Sequence, residues 1–161
     1  MEFPIWIFLL FCIVVVLSAL LGKRKPKRNY SYTSFPTLLS PAERSFFGVL
    51  NKAVDDSVIV FSKVRIADTL RPQKGLNRSD RQRAFNRISS KHFDFVLCRK
   101  HDISVLCVIE LNDSSHNSQK RQKRDSLLRE ICDSAHLPLI EITARRTYNL
   151  EELKDQLTPH L

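Results

Sequence analysis

The sequence predicts an α/β domain built on a mixed sheet that is flanked by helices. Two short apolar runs, Phe93–Cys98 and Ser104–Leu111, are separated by a polar turn, as in a hairpin of two buried strands. A helical pattern over residues 119–135 then leads by a short connection into a third apolar run, Leu137–Ile142. Because a strand–helix–strand order implies a parallel pair with a right-handed crossover, the sheet should combine antiparallel and parallel neighbours.

A helix and a strand are predicted ahead of this unit. In the segment Ser40–Glu43, Ser stands at the N-cap, Pro at the first helical position and Glu three residues after the cap, which is a capping box. Apolar residues then recur at helical spacing as far as Ala53. Residues Ser57–Val64 alternate apolar and polar and predict the first strand, and residues 65–70 either extend that strand or form a short helix.

Two further helices complete the predicted order. Ser79 is expected to cap a basic helix that runs to Ser90, and either Thr147 or Asn149 is expected to cap a closing helix that ends near Leu157. The core order is therefore α-β-β-β-α-β, with the basic helix inserted after the first strand and one more helix at the end.

The N-terminal part has a composition unlike that of the rest of the chain. Phe3–Leu21 is a run of 19 residues without charge, which as a helix would span about 28 Å and thus nearly a bilayer core. A cleaved signal peptide is the alternative, but such a peptide has its positive charges before the apolar run. We therefore expect a transmembrane anchor at 1–22, a basic juxtamembrane linker at 23–37 and a folded domain at 38–161.

A cluster of basic residues follows the apolar run directly. By the positive-inside rule this cluster places the N-terminus outside and the C-terminal domain in the cytoplasm, as a single-pass protein of the inner membrane. Attraction to anionic lipid head groups is a sufficient explanation for the cluster, so the predicted partner of this segment is the lipid bilayer. Its members are Lys23, Arg24, Lys25, Lys27 and Arg28.

Composition narrows the classes of partner and cofactor. The formal charge of the chain is +9, and residues 38–161 themselves carry a net +5, which suits a phosphate-bearing partner. Cys98, Cys107 and Cys132 show no C-x-x-C spacing, as expected for reduced core cysteines rather than a zinc site. With three glycines in the chain, no phosphate-cradling glycine loop is present, and no small-molecule cofactor is expected.

Basic residues concentrate in two stretches of the predicted domain. Seven Lys or Arg stand between Arg71 and Lys91 against one acid, and a second group opens the helix at 119–135. These residues either form a phosphate-binding arm or are the solvated faces of two helices. The candidates for contact with nucleic acid are Arg78, Arg81, Arg83, Arg87, Lys120, Arg121 and Arg124.

Two acids interrupt the apolar strands of the hairpin. Asp94 lies between two phenylalanines, and Glu110 follows five apolar residues. Because burying a lone carboxylate is expensive, such acids are usually paired, hydrogen-bonded or bound to a cation. Asp94 and Glu110 are therefore candidate ligands of one divalent ion, and the alternative is that each marks a strand end and points into solvent. A third acid, Glu43, already has a structural role as the capping-box acid of the first helix, which competes with any role in a site.

A set of spaced motifs runs through residues 38–157. The motifs are Leu39–Arg44, Lys63–Arg65, Lys74–Leu76, Lys91–Leu97, Val108–His116, Asp125 and Leu137–Leu139. In this order the chain resembles a bacterial family of domains of unknown function whose members often carry an N-terminal membrane helix. That family is grouped with the PD-(D/E)xK nuclease-like superfamily and is similar to the very-short-patch-repair-type endonucleases.

The resemblance implies a restriction-endonuclease-like mixed sheet and a site for Mg²⁺. It assigns Asp94 and Glu110 as metal-binding acids, Glu43 as an assisting acid and His116 as a general acid or base. The superfamily signature has Lys two residues after the Glu, where this chain has Asn112. Lys63 on the neighbouring strand could substitute for that missing cation.

Two functions are consistent with these features. The first is a membrane-tethered, Mg²⁺-dependent nuclease that hydrolyses phosphodiester bonds of nucleic acid, with DNA as the expected substrate. The second is a non-catalytic nucleic-acid-binding or scaffold module that keeps the nuclease fold without its activity. Asn112 favours the second function, while His116 together with both acids favours the first.

Overall fold

The chain divides into two compact units, Met1–Pro36 and Thr37–Leu161. A computed structural model describes residues 4–20, 29–112 and 119–161. In the first unit, helix α1 comprises the 16 residues Ile5–Leu20 of the predicted apolar run. No helix in the described residues has the length and hydropathy needed to cross a membrane.

The second unit is a mixed α/β domain around a four-stranded sheet. Its strands are β1 (Val58–Arg65), β2 (His92–Arg99), β3 (Val105–Asn112) and β4 (Leu139–Thr143), and they lie in the order β1-β2-β3-β4. Strand β2 is antiparallel to both β1 and β3, whereas β4 is parallel to β3. The predicted mixed sheet, its hairpin and its parallel pair are confirmed.

Helices cover both faces of this sheet. They are α2 (Pro41–Ala53), α3 (Ile66–Thr69), α4 (Arg78–Ile88), α5 (Gln119–Ser134) and α6 (Leu150–Leu157), with a short 3₁₀ helix, Thr158–His160, at the C-terminus. The order of elements agrees with the predicted order. The undecided segment at 65–70 forms the short helix α3, and Asn149 is the residue that caps α6.

Two separate clusters of buried apolar residues hold the layers together. On one face, residues of α2 and α6 such as Phe46 and Leu157 pack against Phe95 and Ile109 of the sheet. On the other face, residues of α3, α4 and α5 such as Leu128 pack against alternate positions of the same strands. Full burial of a side chain of this size contributes roughly 2–3 kcal/mol, so both layers are needed for a stable domain.

Local sequence sets where the helices begin. At α2 the predicted capping box is present, since the Ser40 amide donates to Glu43 Oε2 at 2.8 Å and the Glu43 amide donates to Ser40 Oγ at 3.3 Å. At α4 the predicted cap, Ser79, is wrong. Asn77 caps this helix instead, because its side-chain oxygen accepts a hydrogen bond from the Asp80 amide at 2.9 Å.

Two exposed turn residues adopt left-handed backbone angles. His136 follows the C-terminus of α5 with a φ of 52°, and Ile103 in the β2–β3 turn has a φ of 58°. For an L-residue this conformation costs roughly 1–2 kcal/mol, and β-branched side chains tolerate it least. Ile103 is 51% exposed, so little buried apolar area compensates for the strain.

Replacing Ile103 should therefore stabilise the domain. We expect Ile103→Asn to raise the free energy of unfolding by about 0.5–1 kcal/mol, because Asn adopts left-handed angles with less strain and without the added chain entropy of Gly. The measurement is urea denaturation of the full chain. Ile103→Val is the control, since it remains β-branched and should bring no gain; equal stabilities for both variants would contradict the assignment of strain.

Candidate active site

The two acids of the hairpin lie next to each other on neighbouring strands. Phe95 of β2 pairs with Ile109 of β3, so the next step along this antiparallel register places Asp94 beside Glu110. Their side chains are 12% and 4% exposed. The alternative in which each acid marks a strand end and points into solvent is therefore wrong for both.

Asp94 is held by a backbone donor and a cation. Its Oδ2 accepts a hydrogen bond from the Leu111 amide at 3.1 Å, and its Oδ1 accepts one from Lys63 Nζ, also at 3.1 Å. Because both oxygens of the carboxylate are engaged, its orientation toward β3 is fixed. A buried carboxylate with such partners avoids the penalty of an unpaired charge.

Lys63 connects Asp94 to helix α2. In β1, Ser62 pairs with Phe95 and Val64 pairs with Phe93, so Lys63 lies across from Asp94 on the adjacent strand. Its backbone is left-handed, with a φ of 56°, and its ammonium group bridges Asp94 and Glu43. Non-glycine residues with such angles tend to cluster at functional sites.

Glu43 has two roles that the sequence had presented as alternatives. One oxygen, Oε2, completes the capping box of α2, and the other, Oε1, accepts a hydrogen bond from Lys63. Although burial acts to raise the pKa of Glu43, the hydrogen bonds from Lys63 and Ser40 hold that pKa below its usual value. Burial likewise opposes the charge on Lys63, but its two carboxylate partners raise the pKa of Lys63, so it stays protonated.

Glu110 is the least satisfied group of the site. Its Oε2 accepts a hydrogen bond from Nη2 of Arg124 on α5 at 2.5 Å. Its Oε1 is buried and has no hydrogen-bond partner among the described residues. Burial, together with the charge of Asp94, raises the pKa of Glu110 to about 8, and Arg124 lowers it only in part. The effect of burial on the pKa of Glu110 exceeds that of Arg124, because Arg124 is 46% exposed and water screens its charge.

Asn112, two residues after Glu110, forms its side-chain contact with the next strand, β4. Asn112 Nδ2 donates a hydrogen bond to Glu141 Oε1 on β4 at 3.3 Å. Arg129 of α5 also binds Glu141, through Nε at 2.8 Å and Nη2 at 2.7 Å. Each glutamate of the β3–β4 pair therefore has its own arginine from α5.

The structure separates the predicted nucleic-acid-binding residues into two groups. Arg83 pairs with Asp80, and Arg87 forms a two-pronged pair with Glu130 at 2.9 and 2.6 Å. Arg78 and Arg81 are exposed and form no ion pair with the described residues. His116 and the side chains of Lys120 and Arg121 lie outside the part of the chain that the structure describes, so those predictions have no structural outcome.

The oxygen atoms of the site fit a hard divalent cation in kind but do not form a closed cage. In residues 4–20, 29–112 and 119–161, no group of three or more His, Cys, Asp or Glu is arranged to hold a metal ion. Asp94 and Glu110 supply two carboxylates, and Oε1 of Glu110 has no hydrogen-bond partner among the described residues. Since Mg²⁺ keeps several waters and often needs only one or two carboxylates, two acids are sufficient.

Sequence reasoning missed the central place of Lys63 and the pairing of Arg124 with Glu110. The sequence indicates Lys63 only as a substitute cation and Arg124 only as a phosphate contact. It gives some signal for Lys63, because this charged residue stands within a strand that opens with four apolar residues. No sequence spacing signals the contact between β3 and α5, which depends on how α5 crosses the sheet.

Fold and site together define a mixed α/β domain with a buried acidic pair that is neutralised by Lys and Arg from neighbouring elements. Residues 36–160 match the family described as "Protein of unknown function (DUF2726)", and the chain belongs to this family. No curated protein and no solved structure matches the chain.

The raised pKa of Glu110 predicts how stability depends on pH in the metal-free protein. The folded-state pKa of about 8 lies above the ordinary glutamate pKa of 4.5, so between these values the folded chain holds a proton that the unfolded chain has lost. Stability from this group is complete below about pH 4.5 and is lost as the pH rises to about 8, by on the order of a few kcal/mol.

Chemical denaturation of the full chain with EDTA, from pH 5 to 8.5, checks this prediction. Glu110→Gln should flatten the decline, because its amide stays neutral. Glu141→Gln is the control and should keep the decline, since Glu141 is partly exposed and its partner Arg129 lowers its pKa. A Glu110→Gln profile that runs parallel to the wild-type profile would rule out the proposed titration.

Proposed function

We propose that this domain hydrolyses phosphodiester bonds of nucleic acid with the help of a divalent cation held by Asp94 and Glu110. The observation that carries the proposal is the side-by-side burial of these acids, with the buried Oε1 of Glu110 lacking a partner among the described residues. Structural acids in a core are normally fully paired, so an unpaired oxygen at such a place points to a ligand.

Each residue of the site has its own role in the proposed hydrolysis. A bound Mg²⁺ would supply the activation of water and the neutralisation of charge on the attacked phosphate. Asp94 and Glu110, which are neighbours on β2 and β3, would supply the carboxylate oxygens that hold this ion. Lys63 stays protonated and so offers a positive charge to a phosphate oxygen rather than accepting a proton. Glu43 keeps the Lys63 ammonium in place.

The resemblance to the PD-(D/E)xK nuclease-like superfamily and its very-short-patch-repair-type members supports this proposal. The family motif is altered at Asn112, but Lys63 presents an ammonium group to Asp94 from the adjacent strand. His116, which follows β3 in the sequence, is the proposed proton donor or acceptor. DNA is the proposed substrate because a net charge of +5 on residues 38–161 favours a polyanion.

Attachment to the inner membrane is part of the same proposal. Its support is the uncharged run Phe3–Leu21, which includes α1, followed directly by five basic residues between 23 and 28. In this arrangement the N-terminus lies outside and the domain at 37–161 lies in the cytoplasm.

A cleavage assay with purified full-length chain tests the enzymatic proposal. We expect a supercoiled plasmid to be cut in the presence of Mg²⁺ or Mn²⁺ and to remain intact in EDTA. Asp94→Asn and Glu110→Gln should each lower the rate by at least about 100-fold, because the cation loses a ligand that also balances its charge. Glu141→Gln, purified in parallel, is the control for contaminating nucleases and should stay active. Cleavage that survives both ligand substitutions would refute the proposal.

A non-catalytic binding module is the second candidate, and the exposed arginines of α4 favour it. Arg78 and Arg81 have no acidic partner among the described residues, and Asn112 supplies no cation at the signature position. Phosphate contacts from such side chains give binding that depends on salt and needs no metal.

Binding of a fluorescent DNA duplex at several salt concentrations tests this second candidate. The double variant Arg78→Gln, Arg81→Gln should weaken binding and reduce the slope of log K against log salt by about two. The matched control is Arg83→Gln, Arg87→Gln, which should have a smaller effect because Asp80 and Glu130 already neutralise those side chains. Equal losses in the two double variants would show that α4 does not bind in this manner.

A further inference from the structure

The pair formed by Arg124 and Glu110 joins a deeply buried group to a half-exposed one. Glu110 is 4% exposed at the floor of the site, whereas Arg124 reaches it from α5 with 46% of its side chain exposed. The arginine can therefore leave the acid by side-chain rotation into solvent, with no change in the packing of the core. The acid cannot move in the same way, because it belongs to a central strand of the sheet.

The guanidinium of Arg124 also lies close to where a cation bound to Glu110 would have to lie. Its Nη2 lies 2.5 Å from Glu110 Oε2, next to Oε1, which has no hydrogen-bond partner in the described part of the chain. A divalent ion bound to Glu110 would stand within a few ångströms of the guanidinium, where two positive groups in a partly buried site repel strongly. Simultaneous binding of the ion and the arginine to this carboxylate is therefore electrostatically unfavourable.

A second arginine of α5, Arg129, forms an ion pair that does not involve the candidate ligands. Arg129 binds Glu141 on β4 through two hydrogen bonds, and Glu141 is 30% exposed. That pair does not involve either candidate ligand. Arg129 is therefore a matched reference for Arg124, with the same charge on the same helix.

We propose that Arg124 couples cation binding to substrate binding: a divalent cation displaces its guanidinium from Glu110, and the freed guanidinium then pairs with a phosphate of the nucleic acid. The inference rests on the proposed function and adds a means of regulation to the same site. In the cation-free state Arg124 keeps Glu110 paired. With the cation bound, a second positive charge becomes available where the polyanion must lie, so each ligand strengthens the binding of the other.

Calorimetric titration of the full-length chain with Mn²⁺ alone, at pH 8, tests the competition. Arg124→Gln should bind Mn²⁺ at least about fivefold more tightly than the wild type, because the competing charge is gone. Arg129→Gln should stay within about twofold of the wild type. Thermal melts confirm that both variants are folded, which is expected since both side chains are about half exposed.

A second measurement tests the transfer of Arg124 to phosphate. Ca²⁺, a hard cation with the same preference for oxygen ligands, should increase the affinity of the wild type and of Arg129→Gln for a labelled DNA duplex. In Arg124→Gln this increase should be lost or strongly reduced.

The outcomes separate this inference from the function on which it rests. Mn²⁺ affinity that is unchanged or weaker in Arg124→Gln overturns the competition and leaves the metal site standing. An increase in DNA affinity that persists in Arg124→Gln overturns the transfer. A wild type that binds no Mn²⁺, or binds it equally well after Glu110→Gln, overturns the proposed function and this inference together.

Discussion

The rest of the site depends on one constraint, the burial of two carboxyl groups side by side in the middle of a sheet. Asp94 and Glu110 lie on neighbouring strands, and each is largely shielded from water. Two such groups repel when both are ionised, and each loses the solvation that water would give. The surrounding elements relieve this conflict unequally, with both oxygens of Asp94 engaged and one oxygen of Glu110 left open.

The ion pair that compensates the buried charge of Asp94 requires a local departure from regular strand geometry. Lys63 adopts left-handed angles in the middle of β1 and places its ammonium group between Asp94 and Glu43. The strain of this backbone is offset by two ion pairs that connect the sheet to the first turn of α2. A single lysine therefore ties the capping of a helix to the electrostatics of the acidic pair.

The same asymmetry gives the site its chemical character. A fully paired cluster would be a structural feature, whereas a raised pKa at Glu110 beside a hydrogen-bonded Asp94 leaves room for a further positive group. Arg124 occupies that place from the surface, and a divalent cation is the proposed competitor for it. Because no third side chain among the described residues joins these two acids as a possible metal ligand, water and substrate would have to complete any coordination shell.

The sequence by itself determined the order of elements, the antiparallel hairpin, the parallel pair and the capping box of α2, because these depend on hydrophobic period and on contacts within a few residues. It also marked Asp94, Glu110 and Glu43, since acids in apolar runs and at helix starts are visible locally. It misplaced the start of α4, where Asn77 rather than Ser79 makes the capping bond. Only the tertiary structure decided that Lys63 bridges Glu43 and Asp94 and that Arg124 reaches Glu110. The physical reason is that strand register and helix crossing bring together residues that are 14 to 31 positions apart in the chain.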